Sequence, residues 1–360
     1  MLDIAIIGGG LAGLSLAQRL AETQRRIAVF EARERFGGRI LSLPEDQPFR
    51  HDLGPGWIWP ELQPRLTEFI ARHALAIYPQ WCVGTSFYQS DRSQPPQAYV
   101  DQGTYAAARR IQGGAYRLID VLLQTLAPSI LKPSHHLLEV TDQHDHVELG
   151  FEHHSMRVSV EARQVVITIP PRLLANSVTF TPALDARLHA LMSATPTWMA
   201  GHAKALIRYG QPFWREAGLS GSALAVYQGA AMAEIFDASA SDGSYAALSG
   251  FLALPVALRR QYRDELEALI LEQLVRLFGR AAAQPEQIQI MDWCDEPFTA
   301  TAADEQPPAG HPQYGHRWLQ LDHWQDKLYF AGTETATDYG GYLEGALEST
   351  ERVMNALLMQ

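Results

Sequence analysis

Apolar positions open the chain as a block, Ile4 to Ile7, closed by the triplet Gly8-Gly9-Gly10, and this reads as a buried strand. Leu11, Leu14, Ala17, Leu20 and Ala21 then recur at helical spacing, and Ile27 to Phe30 form a second apolar block. Strand, helix and strand in that order make a βαβ unit and predict a parallel sheet. Further helices are expected over 61–75, 114–126 and 258–278, the last stopped by Gly279. From Glu139 onward the pattern is that of successive strands, ended by Pro170 and Pro171. Between Met199 and Trp293, strands such as the one within 243–254 alternate with one long helix. The C-terminal stretch gives a strand, a glycine-rich turn and an amphipathic helix with Leu343, Ala346, Leu347, Val353, Met354 and Leu357 on one side. Residues 90–98, SDRSQPPQA, read as a surface loop.

One strand raises a question. In HAKALIRYGQPFW, residues 202–214, alternation puts His202, Lys204, Leu206 and Arg208 on one face and Ala203, Ala205, Ile207 and Tyr209 on the other. Taken alone, this pattern fits an edge strand with solvated cations. A role for Lys204 depends on what the rest of the chain builds around it.

Composition narrows the classes. At 360 residues the chain is long enough for roughly two domains. Its 47% hydrophobic and 19% charged residues are those of an ordinary globular protein. A formal charge of -11 argues against nucleic acid as a partner and slightly favours cationic substrates. Two cysteines, Cys82 and Cys294, with no CxxC, make neither a disulfide framework nor a zinc site and fit a reducing compartment. His144, His146, His153 and His154 lack metal-site spacing and read as exposed hairpin residues, so no metal is expected. No basic leader and no apolar run of about 18 residues is present, so a cytoplasmic protein without membrane association is expected.

The chemistry begins at the first turn. Gly8, Gly10 and Gly13 fit G-x-G-x-x-G between a strand and a helix, where a backbone without Cβ lets a pyrophosphate approach the open N–H groups of the helix. Glu31 follows the second strand, 21 residues after Gly10, and can accept both hydroxyls of a ribose while repelling a 2′-phosphate. NAD and FAD both satisfy these features. The segment Arg35-Phe36-Gly37-Gly38-Arg39 favours FAD, because a second glycine pair and a cation can reach along a longer extended cofactor.

At this point the chain resembles the flavin-containing amine oxidase family, the monoamine oxidase-like FAD-dependent oxidoreductases, over nearly its whole length. The matching segments are GGGLAGL, EARERFGGRI, HDLGPGWIWP, VVITIPP, KALIRYGQPFW, DWCDEPF and LYFAGTETATDYGGYLEGALESTER. The resemblance implies an α/β architecture with a Rossmann-like FAD-binding domain of the GR2 type, drawn from 1–78, 112–190 and 299–360. A smaller α+β substrate domain would take 79–111 and 191–298. It implies that Leu11 and Ala12 join the glycine turn, and that Glu31, Ala32 and Arg33 hold the adenosine ribose side. Gly38, Arg39 and the Gly54-Pro55-Gly56-Trp57 turn would lie along the cofactor. Leu137 would meet the adenine side, with Trp293 beside the flavin. Gly332, Glu334, Gly341, Tyr342 and Leu343 would complete the ribityl and flavin end, where a helix starting near Gly341 aims its positive pole.

By the same resemblance, Lys204, nine residues before Phe213 of the PFW motif, holds a water against flavin N5, and Tyr342 is one wall of an aromatic slot. The implied reaction is hydride transfer from an amine α-carbon, giving an imine that hydrolyses, with dioxygen returning the electrons as peroxide. An ammonium at Lys204 would compensate the negative charge that develops during oxygen reduction.

Three departures stand out. Thr301, Ala302 and Ala303 occupy the region where covalent members carry a flavin-linking cysteine, so FAD is expected to bind without a thioether. The second slot tyrosine would fall near Ala302 or Ala303 and is missing. Few residues separate RHALAIYPQW from GGAYRLID, where many relatives insert a helical subdomain, leaving a shallower pocket unless a second subunit in a homodimer covers it. Other readings are a flavin oxidoreductase acting on C–C bonds, of the desaturase or porphyrinogen-oxidase kind, an L-amino-acid oxidase using Arg208 or Arg215 for the carboxylate, and a catalytically silent flavin-binding protein.

Overall fold

The structure, a computed structural model, describes residues 1–359 except 102, 104 and 307. Two sheets organise it. In the first, the strands Leu2–Ile7 and Ile27–Phe30 run parallel in register, Ile4 opposite Ile27 and Ile7 opposite Phe30. On its other side Leu2–Ile7 pairs in parallel with the long strand Met156–Ile167, whose end also takes Leu328–Phe330. The start of Met156–Ile167 instead pairs antiparallel with Val147–His153, which pairs in turn with His135–Asp142. Ile4 to Ile7 are at most 2% exposed because both faces of this sheet are covered, which is why they read as one unbroken apolar run. Helix Leu11–Ala21 packs with helices Arg117–Thr125 and Leu343–Leu358 over Ile4, Ile6 and Val29.

The second sheet has seven strands in the order Gln287–Asp292, Ala203–Arg208, Ala247–Leu252, Met232–Asp237, Leu219–Ala225, Thr85–Gln89 and Gln97–Val100. Ala203–Arg208 is therefore an inner strand, not an edge. Ala203, Ala205, Ile207 and Tyr209 pack into the core beneath helix Leu266–Phe278 with Ile270 and Leu274. Leu206 goes the other way, into a separate cluster with Phe236, Phe251, Met291, Trp293, Trp57 and Leu53. That second face is turned toward the first sheet.

Element bounds differ from expectation for local reasons. The helix expected over 61–75 is Pro64–Arg72, with Pro64 in its first turn, where a missing N–H does no harm. The one expected over 114–126 begins only at Arg117, because Gly113 and Gly114 turn the chain with φ of 83° and 91°. The long helix is split into Val256–Gln261 and Leu266–Phe278, since the polar stretch 261–264 is exposed and has nothing to bury. The C-terminal helix starts at Leu343, after Gly341 at φ 86°. Leu137 lies inside its strand, next to a bulge, and the surface loop ends earlier, at the strand Gln97–Val100. No helix among the described residues is long and apolar enough to cross a membrane.

Candidate active site

A cavity of about 740 Å³ lies between the two sheets. At one end it is walled by the glycine turn. Gly10 caps helix Leu11–Ala21 with no side-chain hydrogen bond, so the first N–H groups of that helix are open toward the cavity. A Cβ at Gly10 would meet no atom closer than 3.9 Å, that atom being Gly38 Cα, and would instead occupy the space beside the turn. Gly13 serves packing and does not line the cavity: its Cβ would stand 2.0 Å from Gly8 O. Glu31 is 4% exposed and fixed from both sides, Oε2 accepting from Gly9 N at 2.8 Å and Oε1 from Arg33 N at 2.9 Å. Ala32, Arg33 and Leu137 line the cavity beside it.

Farther along, Gly38, Arg39 and the turn Gly54 to Trp57 form the wall. Gly54 is required by close approach, since a Cβ there would lie 2.1 Å from Arg39 O. Arg39 Nη1 stands 2.8 Å from Glu334 Oε1 as an ion pair. Glu334 is 1% exposed, lies behind the cavity wall, and its two oxygens meet no hydrogen-bond donor in good geometry, so its accepting capacity is largely unspent. Gly332, Gly341, Tyr342 and Leu343 close this side, with no capping side chain on helix Leu343–Leu358.

The second sheet supplies the remaining wall through one cross-strand row. Met291, Lys204, Phe251 and Glu234 stand opposite one another on four adjacent strands, and so share a face. Lys204 is 3% exposed. Its Nζ donates to Gly54 O at 3.0 Å and lies over the rings of Phe236 and Phe251, 5.4 and 5.7 Å from their centroids. Burial pulls its pKa down to about 8; the Asp52 carboxylate opposes this and the Arg110 guanidinium adds to it. Asp52 is itself held by Ser42 Oγ at 2.6 Å, Ala115 N at 2.7 Å and Arg110 Nη2 at 3.3 Å. Trp293 donates Nε1 to Leu53 O at 3.0 Å, tying its strand end to the glycine segment.

Tyr342 lines the cavity, and the second ring near it is not at Ala302 or Ala303, which lie in the turn Ala302–Glu305. It is His311, stacked on Tyr342 with centroids 5.1 Å apart and planes 7° apart. His311 is exposed and does not line the cavity, so it backs Tyr342 rather than facing it across a slot. Glu234 was not foreseen. It lines the cavity with Trp57 and Trp59 and accepts a hydrogen bond from the Tyr105 hydroxyl, whose pKa is raised first by burial and then by this contact. Arg208 and Arg215 do not line the cavity; Arg215 pairs with Asp237 at 2.7 Å and stacks on Trp81 at 4.1 Å.

Comparison with known proteins names the family. The sequence model for flavin containing amine oxidoreductases matches residues 77–358, and that for an NAD(P)-binding Rossmann-like domain matches 6–73. The chain belongs to the flavin containing amine oxidoreductase family. It is 25% identical to flavin-containing amine oxidase A of Equus caballus, covering 99% of this chain and 85% of that protein. It is 23% identical to flavin-containing amine oxidase B of Homo sapiens over 99% of this chain and 86% of that protein. A putrescine oxidase solved with putrescine bound superposes with a TM-score of 0.79 at 18% identity, covering 100% of this chain and 99% of that one. Cyclohexylamine oxidase from Brevibacterium oxydans IH-35A gives 0.77 at 19% identity, covering 99% of each.

The protein is thus an FAD-dependent amine oxidase with a Rossmann-like fold. The cavity fits the cofactor on its own terms: an uncapped helix N-terminus with clear space at Gly10 suits the pyrophosphate, Glu31 suits a ribose, and the length between Glu31 and Lys204 is walled throughout. None of Thr301, Ala302, Ala303 and Cys294 lines the cavity, and Cys82 and Cys294 are free thiols.

Proposed function

We propose that the substrate is an amine carrying a second cationic group, and that Glu234 reads that group. The observation that carries this is the placement of Glu234 two strands from Lys204 on one row, roughly 10 Å between their backbones, with Phe251 between them. Phe251, Trp57 and Trp59 offer apolar walls to a methylene chain whose far nitrogen meets the carboxylate. The net charge of -11 favours the approach of a cation to the molecule as a whole. A fold neighbour binds putrescine, a compound of this shape.

FAD, when bound, would supply the two-electron acceptor for the amine α C–H bond and the route by which those electrons reach dioxygen. The chain's own groups do the rest. Lys204 holds a proton against the buried end of the cavity, Tyr342 orients the amine nitrogen, and His311 keeps the Tyr342 ring in place. We assign the glycine turn, Glu31, Arg39 and Glu334 to the cofactor, within a cofactor domain of 1–78, 112–190 and 299–360, and the Lys204 sheet to a substrate domain of 79–111 and 191–298. We place the protein in the cytoplasm, where its two thiols stay reduced.

The test is anaerobic reduction of the FAD-loaded enzyme by putrescine and by butylamine, in wild type and Glu234→Gln. Putrescine efficiency falls about 30-fold or more in the variant, the loss of a buried charge pair, while butylamine changes little. Equal effects on both amines would refute the role of Glu234.

A further inference from the structure

A glutamate side chain turns about several bonds, so the strand Met232–Asp237 alone leaves the Glu234 carboxylate a choice of places along the cavity. The Tyr105 hydroxyl removes that choice by donating to Oε1. Among the described residues no other side chain donates to this carboxylate. Tyr105 does not itself line the cavity, so it reaches Glu234 from outside the space a substrate would fill.

Tyr105 is in turn held on both walls. Its carbonyl accepts from Ala108 N at 2.9 Å, and the Ala108 carbonyl accepts from Gln80 N at 3.1 Å. The Gln80 side chain, 3% exposed, accepts from Trp57 Nε1 at 2.8 Å and donates to Asp237 O at 2.7 Å, on the same strand as Glu234. Just beyond the turn, Arg109 and Ile58 exchange backbone hydrogen bonds of 2.8 and 2.9 Å. The Tyr105 ring lies 5.2 Å from that of Trp57. The hydroxyl is therefore fixed relative to the Gly54 to Trp57 turn on one side and to the substrate strand on the other.

We propose that Tyr105 is the positioning residue that sets the length of diamine the cavity selects, by pinning Glu234 so that its other oxygen, Oε2, meets the far ammonium at one fixed place. The inference rests on the reading of Glu234 as the group that meets a second cation. A carboxylate has room for several hydrogen bonds, so the one from Tyr105 leaves Oε2 free to accept a charge-assisted bond from an ammonium. Burial first, and the Glu234 contact second, hold the Tyr105 pKa above its ordinary value of 10, so the hydroxyl keeps its proton and stays a donor. Against a pinned carboxylate, a shorter diamine leaves its far ammonium short of a partner beside Phe251, and a longer one must buckle against Phe251 and Trp57. A released Glu234 would follow the ammonium and accept both. No covalent bond forms or breaks in this role.

The experiment measures anaerobic flavin reduction by the propane, butane, pentane and hexane α,ω-diamines and by butylamine, in wild type, Tyr105→Phe, Glu234→Gln and the double variant. Stopped-flow traces give the dissociation constant and the limiting rate separately. Tyr105→Phe keeps the ring against Trp57 and removes only the donor. In wild type the best diamine binds about tenfold more tightly than its neighbours in the series, and in Tyr105→Phe this spread shrinks to about twofold. Butylamine, which has no far ammonium, keeps its constants in Tyr105→Phe. The Glu234→Gln profile is already flat, and adding Tyr105→Phe changes it no further. A loss in Tyr105→Phe shared equally by butylamine and every diamine, an unchanged length profile, or a wild-type series with no preferred length would each overturn the role of Tyr105. Glu234→Gln affecting putrescine and butylamine alike would instead remove the reading of Glu234, and this role with it.

Discussion

Lys204 carries its charge where the surroundings oppose it, in a wall whose nearest groups are two phenyl faces and one carbonyl. With its pKa near 8, the ammonium predominates at neutral pH and is lost above it. If that charge assists oxygen reduction, the rate of flavin reoxidation by dioxygen falls as pH rises through about 8. Lys204→Met should be slow and flat across the same range, which stopped-flow reoxidation at several pH values will show. Folding depresses this pKa from the ordinary value of 10.5, so between the two values the unfolded chain binds the proton more tightly. The contribution of Lys204 to stability therefore rises with pH across that window, and below it the buried charge is a burden that Lys204→Met relieves.

At the scale of elements, the parts legible in the sequence were those fixed by local spacing. The glycine turn, the nearness of Glu31 to it and the alternation along Ala203–Arg208 each depend on neighbours along the chain, and the structure shows the turn before helix Leu11–Ala21, Glu31 bonded to Gly9 N, and Ala203, Ala205 and Ile207 on the face opposite Lys204 and Leu206. The row Met291, Lys204, Phe251 and Glu234 was not legible, because it depends on the register of four strands far apart in sequence. The charged Glu234 among apolar strand residues was a signal, but only pairing with Phe251 tells which cavity it faces. His311 was missed for a similar reason: the chain reaches Tyr342 from a loop, with no periodicity to project. The glycine segment offers an element-scale prediction. Gly54→Ala drives a Cβ to within 2.1 Å of Arg39 O and should lower the melting temperature and weaken FAD binding. Gly310→Ala, with nothing within 4 Å, should change neither. Thermal unfolding with and without FAD separates the two.

For the whole molecule, the cavity lies where two sheets meet, each already covered on its far side by helices. The two halves are joined there by a small cluster, Leu41, Leu53, Leu206, Phe236 and Trp293, together with the Lys204 and Trp293 hydrogen bonds to the Gly54 and Leu53 carbonyls. A cofactor bound between them would contact both, so its occupancy and the docking of the Lys204 strand on the Gly54 segment would be coupled. The claim on which all of this depends is that FAD held without a covalent bond in this cavity is the electron acceptor for an amine. The most direct measurement is the visible spectrum of the FAD-loaded protein when butylamine, benzylamine and putrescine are added without oxygen. Loss of the oxidised-flavin absorption with at least one amine, its return on admitting air together with peroxide, and release of intact FAD on acid precipitation are the predicted result. A protein that takes up no FAD, or that holds it while every amine leaves its colour unchanged, would contradict the account.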